Sequence, residues 1–340
     1  MRRHGGLWPM ITDMENIRLA FYKAALRKSK HKGVIKTKEN LNERLETLRI
    51  SLINKTLKTS NYWEKIVHEP KTRIIYVLPF YPDRIVQHAL MNLITPIWDK
   101  MFIFDSYACR DKKGIHSGSL RAMDFVRQNK YVLKCDIRKF YPSVDHDILM
   151  LIIKKKIKCP DTLWLIEDIV RSFPGGKNIP IGNYTSQWFG NLYLNEVDQF
   201  VKHELQKKYG KIGYVRYCDD FCLFHNNKKV LKECRLFLIN FIDEKLKLKF
   251  NKCDIFPVSR GVDFLGYRHF DNYKLLRKRT VKRVRKRLSA LPYLYENKKI
   301  TFEQFRSSVA STYGWFKHAN SHNLQVKLQF QKLMKFVGEQ

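Results

Sequence analysis

The stretch Tyr214-Val215-Arg216-Tyr217-Cys218-Asp219-Asp220-Phe221-Cys222-Leu223-Phe224 constrains the fold of this chain more than any other. Two adjacent carboxylates interrupt two runs of β-branched and aromatic residues. Such runs favour strands, and the polar residues between them favour a turn. The pattern implies a β-hairpin with Asp219 and Asp220 at its tip. Neighbouring like charges repel, and burying them unpaired is costly. Alone, such a pair is a solvated acidic turn. It becomes half of a divalent-metal site only with a third carboxylate and an anionic substrate.

Composition supplies the case for an anion. The 340 residues carry 65 Lys and Arg against 32 Asp and Glu, a net charge of +33. An excess this large implies a polyanionic partner. It is spread along the chain and is densest around residues 271–287, where eight of the eleven residues 277–287 are basic. These have no acidic neighbours one helical turn away, so their self-repulsion points to an external anion. A hydrophobic fraction of 44% is enough for a real core. No run of about 20 apolar residues is present, so no transmembrane helix and no membrane partner are expected. Met1-Arg2-Arg3-His4-Gly5-Gly6 lacks an apolar signal core, which makes a cytoplasmic protein the expectation. The seven cysteines (Cys109, Cys135, Cys159, Cys218, Cys222, Cys234 and Cys253) form no C-x-x-C pair and are expected as reduced thiols.

Helical spacing predicts an amphipathic helix over 12–31, with Thr12 or Asp13 as cap, and another over 39–58. Residues 66–77 suggest a hairpin whose tip carries Pro70 to Arg73. Asp83 is a candidate cap for a helix to about Lys100, kinked or ended at Pro96. A helix follows Gly114 to about Asn129, and Tyr131–Ile137 is an apolar strand holding Asp136. A helix over 146–158 and the loop Ile179–Gln187, feeding a long helix to about Lys208, come next. Beyond the acidic hairpin lie a helix at about 228–246, a strand pair over 248–270, and basic then aromatic helices from Thr280 onward.

Asp136 is the third carboxylate. It closes a strand, as Asp219 and Asp220 do, and strand-end acids from neighbouring strands can converge on metal ions. Two magnesium ions about 3.5–4 Å apart suit in-line phosphoryl transfer.

The order of motifs is specific. Asp136-x-x-x-Phe140-Tyr141, then Gly182-x-x-x-Ser186 opening a helix, then Tyr217-x-Asp219-Asp220 between strands resembles the palm of a reverse transcriptase. Lys71-Thr72-Arg73 is similar to the fingers hairpin that contacts the incoming triphosphate. Arg84–Leu90, Tyr107–Arg110 and His116 resemble fingers motifs of bacterial reverse transcriptases, Gly261–Tyr267 the primer grip, and the basic helices after 275 the thumb. The resemblance implies an α/β (α+β) right-hand polymerase. Its expected parts are an N-terminal helical extension (1–60), fingers (61–130 with part of 160–185), a split-βαβ palm (131–270) and a basic helical thumb (271–340).

It further implies that Asp136, Asp219 and Asp220, with the Ile137 carbonyl, hold two Mg²⁺ ions, for which Mn²⁺ can substitute. Arg73 and Lys71 would neutralise the triphosphate. Tyr141 would act as steric gate against a ribose 2′-hydroxyl, with Phe140 as the alternative. Ile181, Gly182 and Gln187 would line the dNTP pocket, and Gly266, Lys282, Arg283, Arg285, Lys286 and Arg287 would grip nucleic acid. No general acid is assigned, because Asp254 stands at the aligned position and Lys252 is off register.

Most reverse transcriptases read Gln-Gly-x-x-x-Ser-Pro before the long helix. Here Ile181-Gly182-Asn183-Tyr184-Thr185-Ser186-Gln187 resembles the loop of diversity-generating retroelement enzymes of bacteria and phages. That resemblance implies error-prone copying of a template-repeat RNA into cDNA, and a small basic oligomeric partner, the accessory variability determinant. The alternatives are a retron, abortive-infection or group II intron enzyme, or a non-catalytic nucleic-acid-binding protein on a polymerase fold.

Overall fold

The structure, a computed structural model, describes residues 3–68 and 72–339. Its contacts divide the chain into two compact units.

The first unit holds Met1–Phe104, Asp136–Lys208 and Leu236–Lys252. Asp13 caps the helix Met14–Ala25, its carboxylate accepting from the backbone N–H groups of Glu15 and Asn16 at 2.9 and 3.3 Å. That helix buries Ile17, Ala20, Phe21 and Ala24. It stops six residues short of the expected end. Residues 27–31 contain no apolar side chain to continue the buried stripe, and Arg27 adopts a left-handed φ of 61°. A separate helix, Lys32–Glu39, follows. The next, Leu41–Ile53, is shorter than predicted but buries Leu45, Leu48 and Leu52 as their spacing requires.

Strands β1 (Trp63–Val67) and β2 (Arg73–Val77) pair antiparallel as the expected hairpin. Residues 69–71 at its tip, including Lys71, lie outside the described residues. Asp83 does not cap a helix. It is buried, it accepts from the Ser60 N–H at 2.9 Å, and burial raises its pKa. The helix Ile85–Asp99 starts after it and continues through Pro96. The lost hydrogen bond is tolerated because this helix buries Ile85, Ala89, Leu90, Ile94 and Trp98. A helix Pro160–Arg171, which the sequence did not announce, begins with proline at its first turn.

The second unit holds Asp105–Cys135, Tyr209–Arg235 and Cys253–Gln340. A four-stranded sheet is built from β3 (Tyr131–Ile137), β4 (Gly213–Tyr217), β5 (Asp220–His225) and β6 (Phe250–Pro257). Its order is β4-β5-β3-β6, with the first and third strands in the middle. That is the split-βαβ order expected of the palm. Asp136 and Ile137 at the end of β3, and the first three residues of β6, run on into the first unit. Val132, Val215, Cys222 and Phe224 join Ala122, Phe125 and Phe264 in one core cluster.

A second sheet, β7 (Val262–Phe264), β8 (Tyr267–His269) and β9 (Lys274–Leu276), contains the predicted Gly261–Tyr267 hairpin and adds a third strand. The basic helix Lys278–Glu296 buries Val284, Leu288 and Leu291. Helices Phe302–Phe316, His322–Lys327 and Phe330–Glu339 complete the unit.

A buried polar chain ties β7–β9 to the helix Ile115–Gln128. The Lys274 ammonium donates to the Ser119 hydroxyl oxygen at 3.2 Å. Ser119 lies 2.9 Å from His269 Nε2, and His269 Nδ1 lies 3.0 Å from the Val262 carbonyl. A carbonyl only accepts, so Nδ1 carries the proton and Nε2 accepts from Ser119. Burial, reinforced by Lys274, pushes the His269 pKa from 6.5 down to about 4. Between those values the unfolded chain binds a proton that the folded chain does not. Stability from this site is therefore complete above pH 6.5 and falls as the pH drops towards 4. The loss is on the order of 3 kcal/mol at most. The urea midpoint should decline over that range, and His269→Gln should flatten the decline. An unaltered slope in the variant would mean that His269 does not titrate in this way.

Candidate active site

The acidic hairpin is built in the second unit. Tyr217 pairs with Asp220, which leaves Cys218 and Asp219 as a two-residue turn. Cys218 takes a left-handed φ of 52°, the conformation such turns need. Asp219 therefore sits in the turn and Asp220 opens β5. The Arg216 side chain is fully buried, and its Nη1 donates to the Cys218 carbonyl at 3.2 Å, holding the turn from within. The Tyr107 N–H donates to the Arg216 carbonyl and the Arg216 N–H to the Asp105 carbonyl, both at 2.9 Å. The Tyr107–Arg110 motif thus begins by bracing β4. Burial raises the Tyr217 hydroxyl pKa to about 12.

Lys134, on β3, has its ammonium 3.5 Å from Asp220 Oδ1 and also donates to the Asp263 carbonyl. Lys134 thereby offsets the charge of Asp220 from the neighbouring strand. All seven cysteines are free, as expected, and burial raises the thiol pKa values of Cys135 and Cys222.

Asp136 is the next-to-last residue of β3, the strand beside β5. Its Oδ2 accepts from Asn251 Nδ2 at 2.7 Å. The chain then turns through Lys139, at a φ of 45°, into a short helix Phe140–Ser143. Phe140 is buried against Gly190, where an added Cβ would lie 3.0 Å from its ring. Of the two gate candidates, Phe140 belongs to the core and Tyr141 is only partly buried.

The Ile179–Gln187 loop is bound to two neighbours in the first unit. The Ile179 N–H donates to the Tyr141 carbonyl at 3.1 Å, and the Tyr76 N–H of β2 to the Ile181 carbonyl at 2.8 Å. Gly182 has a φ of 128°, and a Cβ there would stand 2.3 Å from the Tyr76 carbonyl oxygen. Glycine is needed for both reasons. Arg73, exposed, begins the same strand β2.

The predicted loop is shorter than expected, because the helix Tyr184–Phe200 already includes Thr185, Ser186 and Gln187. The reason is a side chain from elsewhere. Gln87 Oε1 accepts from the Tyr184 and Thr185 N–H groups at 3.0 and 3.5 Å and caps the helix. Gln87 stood within the Arg84–Leu90 motif, but its sequence carried no sign of this role.

In the second unit, Gly266 forms the β7–β8 turn with a φ of 87°, and a Cβ there would lie 2.7 Å from the Trp315 ring. Lys282, Arg283, Arg285 and Lys286 are exposed. Arg287 is partly buried and donates to Thr312 Oγ1, so it also serves packing.

Among the described residues no three His, Cys, Asp or Glu side chains are gathered as a metal cage. The donors available at the strand ends are carboxylate and carbonyl oxygens, the hard ligands that magnesium takes. Gly182→Ala should destabilise the protein by about 2 kcal/mol through the strained φ and the clash with Tyr76. An unchanged urea midpoint would contradict the close approach of the loop to β2.

The reverse transcriptase (RNA-dependent DNA polymerase) profile matches residues 57–269. Protein YkfC of Escherichia coli (strain K12) is 26% identical over 249 residues, 60% of this chain and 63% of YkfC. The chain thus spans less than two thirds of that relative. The retron Ec73 reverse transcriptase of Escherichia coli is 26% identical over 239 residues, 62% of this chain and 73% of the relative. The structure of telomerase from Candida albicans with a TWJ fragment of telomeric RNA aligns with a TM-score of 0.50 at 11% identity. It covers 84% of this chain and 61% of the telomerase chain. That likeness concerns the fold, which is the mixed helix-and-sheet fold of right-hand polymerases. No helix among the described residues is long and apolar enough to cross a membrane. The matched region takes in the β1–β2 hairpin, the four-stranded sheet and the β7–β8 hairpin. The chain belongs to the reverse transcriptase (RNA-dependent DNA polymerase) family.

Proposed function

We propose that this protein is an RNA-directed DNA polymerase of a diversity-generating retroelement. It would copy a template-repeat RNA into adenine-mutagenised cDNA that diversifies a target gene. The observation that carries the finer assignment is the Ile181-Gly182-x-x-x-Ser186-Gln187 segment, bound beside the strand that begins at Arg73. Residues 61–130, with part of 160–185, act as fingers, 131–270 as palm and 271–340 as thumb, behind an N-terminal helical extension over 1–60.

Asp136, Asp219, Asp220 and the Ile137 carbonyl would hold magnesium, or manganese in its place, which supplies charge neutralisation for phosphoryl transfer. Arg73 and Lys71 bind the triphosphate of the dNTP, and Arg73 presents a fork of donors to phosphate oxygens. The Tyr141 ring rejects a 2′-hydroxyl by contact. Ile181 presents no hydrogen-bonding side chain to the nucleotide, where the commoner glutamine has one. A mispaired nucleotide then loses less relative to a correct one, which lowers discrimination. Gly182 and Gln187 complete that wall. Gly266 supports the primer, and the basic face of Lys278–Glu296 holds the RNA–cDNA duplex by its phosphates. A small basic accessory oligomer is the expected protein partner.

A retron enzyme is the competing assignment, favoured by the 26% identity to the retron Ec73 reverse transcriptase. Sequencing the cDNA separates the two, since only the retroelement enzyme is expected to concentrate errors opposite template adenine.

Asp219→Ala should abolish metal-dependent dNTP incorporation on an RNA template, and normal extension by that variant would overturn the polymerase assignment. Ile181→Gln should lower misincorporation opposite adenine, measured by cDNA sequencing. An unchanged adenine error frequency would remove Ile181 from nucleotide selection. Replacing Lys282, Arg283, Arg285 and Lys286 together by alanine should flatten the log–log salt dependence of duplex binding by about three to four units. An unaltered slope would mean that these side chains do not meet phosphates.

A further inference from the structure

We infer that Gln87 and Tyr62 are positioning residues for nucleotide selection: together they fix the Ile181–Gln187 segment against which the nucleotide is sorted. This rests on the polymerase reading above and adds Gln87, a residue of the Arg84–Leu90 motif with no role assigned there, and Tyr62, which lies outside the motifs.

A helix normally takes its first cap from its own preceding residue. Asn183 occupies that position before Tyr184–Phe200, with an extended backbone and a residue type well suited to capping. Yet its side chain makes no cap hydrogen bond. Its Nδ2 instead donates to the Tyr62 hydroxyl at 2.7 Å. The Tyr62 oxygen also lies 2.8 Å from Ser172 Oγ, at the end of the helix Pro160–Arg171.

Capping falls to Gln87, which is only 2% exposed and comes from a helix about 97 positions upstream. The neighbouring His88 ring stacks on Tyr184, with centroids 4.0 Å apart and planes at 7°. Burial, with Lys28, Arg84 and Lys23 adding to it, lowers the His88 pKa to about 4, so the ring is neutral beside the positive end of the helix.

The segment is therefore held from three sides. The Tyr76 N–H fixes the Ile181 carbonyl, Tyr62 fixes the Asn183 amide, and Gln87 fixes the Tyr184 and Thr185 amides. Tyr62 immediately precedes β1, and Tyr76 lies in β2, the strand that also carries Arg73. Removing a buried acceptor leaves its donors unsatisfied, and the cheapest relief is movement of the segment. A displacement of that kind changes how tightly a nucleotide is held and sorted, not the carboxylate chemistry.

The test compares Gln87→Met, Gln87→Glu and Tyr62→Phe with the wild-type chain. Primer extension on RNA gives kcat, the KM for dNTP and the misincorporation frequency. Amide hydrogen exchange over 181–187 gives the position of the segment without reference to activity.

Gln87→Met keeps the size but loses the acceptor. It should raise the dNTP KM about tenfold, with a smaller change in kcat, and speed exchange at Tyr184 and Thr185. Gln87→Glu keeps an oxygen in place and should restore both readouts towards wild type. Tyr62→Phe should raise KM and alter the error frequency. The inference is overturned if Gln87→Met leaves KM, error frequency and exchange unchanged. It is equally overturned if Gln87→Glu is as impaired as Gln87→Met, since the acceptor would then not matter. A wild-type chain that fails to extend primers with magnesium or manganese removes the polymerase reading and the selection role with it. Exchange in Gln87→Met still decides in that case whether Gln87 holds the segment.

Discussion

The pairing of Tyr217 with Asp220 leaves only two residues for the β4–β5 turn, and much of the site depends on that register. It puts Asp219 outside the ladder and Asp220 at the start of a strand. A slip of one residue would turn Val215, Cys222 and Phe224 away from the core they share with Val132 and Phe125. The hydrophobic sheet thus fixes the carboxylates, although the carboxylates are what make the hairpin chemically unusual. Arg216 adds to this from inside, with its guanidinium buried beneath the turn.

Distant buried polar groups are used where local ones would serve. Gln87 caps a helix that Asn183 stands ready to cap. Ser119, His269 and Lys274 join a helix to a three-stranded sheet through one directed chain of hydrogen bonds. Such groups raise the cost of any other arrangement, because each would lose its partner in a medium that cannot replace it. They give the site definition where hydrophobic packing, which is non-directional, cannot.

Charge is organised differently. Lys282, Arg283, Arg285 and Lys286 stand exposed on one helix whose other face buries Val284, Leu288 and Leu291. Arg287 continues the run in sequence but is partly drawn into packing through Thr312. Lys134 is a cation of a third kind, set against Asp220 within the sheet. Net charge marks a polyanion partner, but it does not separate these three uses.

The sequence by itself determined the alternation of strands and helices, the acidic hairpin, the order of the polymerase motifs and the amphipathic basic helix. All are written in short-range periodicity and residue type, which physics reads locally. Helix ends were less legible. The helix expected over 12–31 ended where apolar residues ran out, and Pro96 did not break a helix whose burial outweighs a missing hydrogen bond. Only the tertiary structure decided that Asp83 is buried against Ser60 and that Gln187 lies on a helix. It also decided that Phe140 is core while Tyr141 is only partly buried. Each of these turns on a partner tens of residues away, and a side chain's partner across such a distance leaves no mark in the pattern of its neighbours.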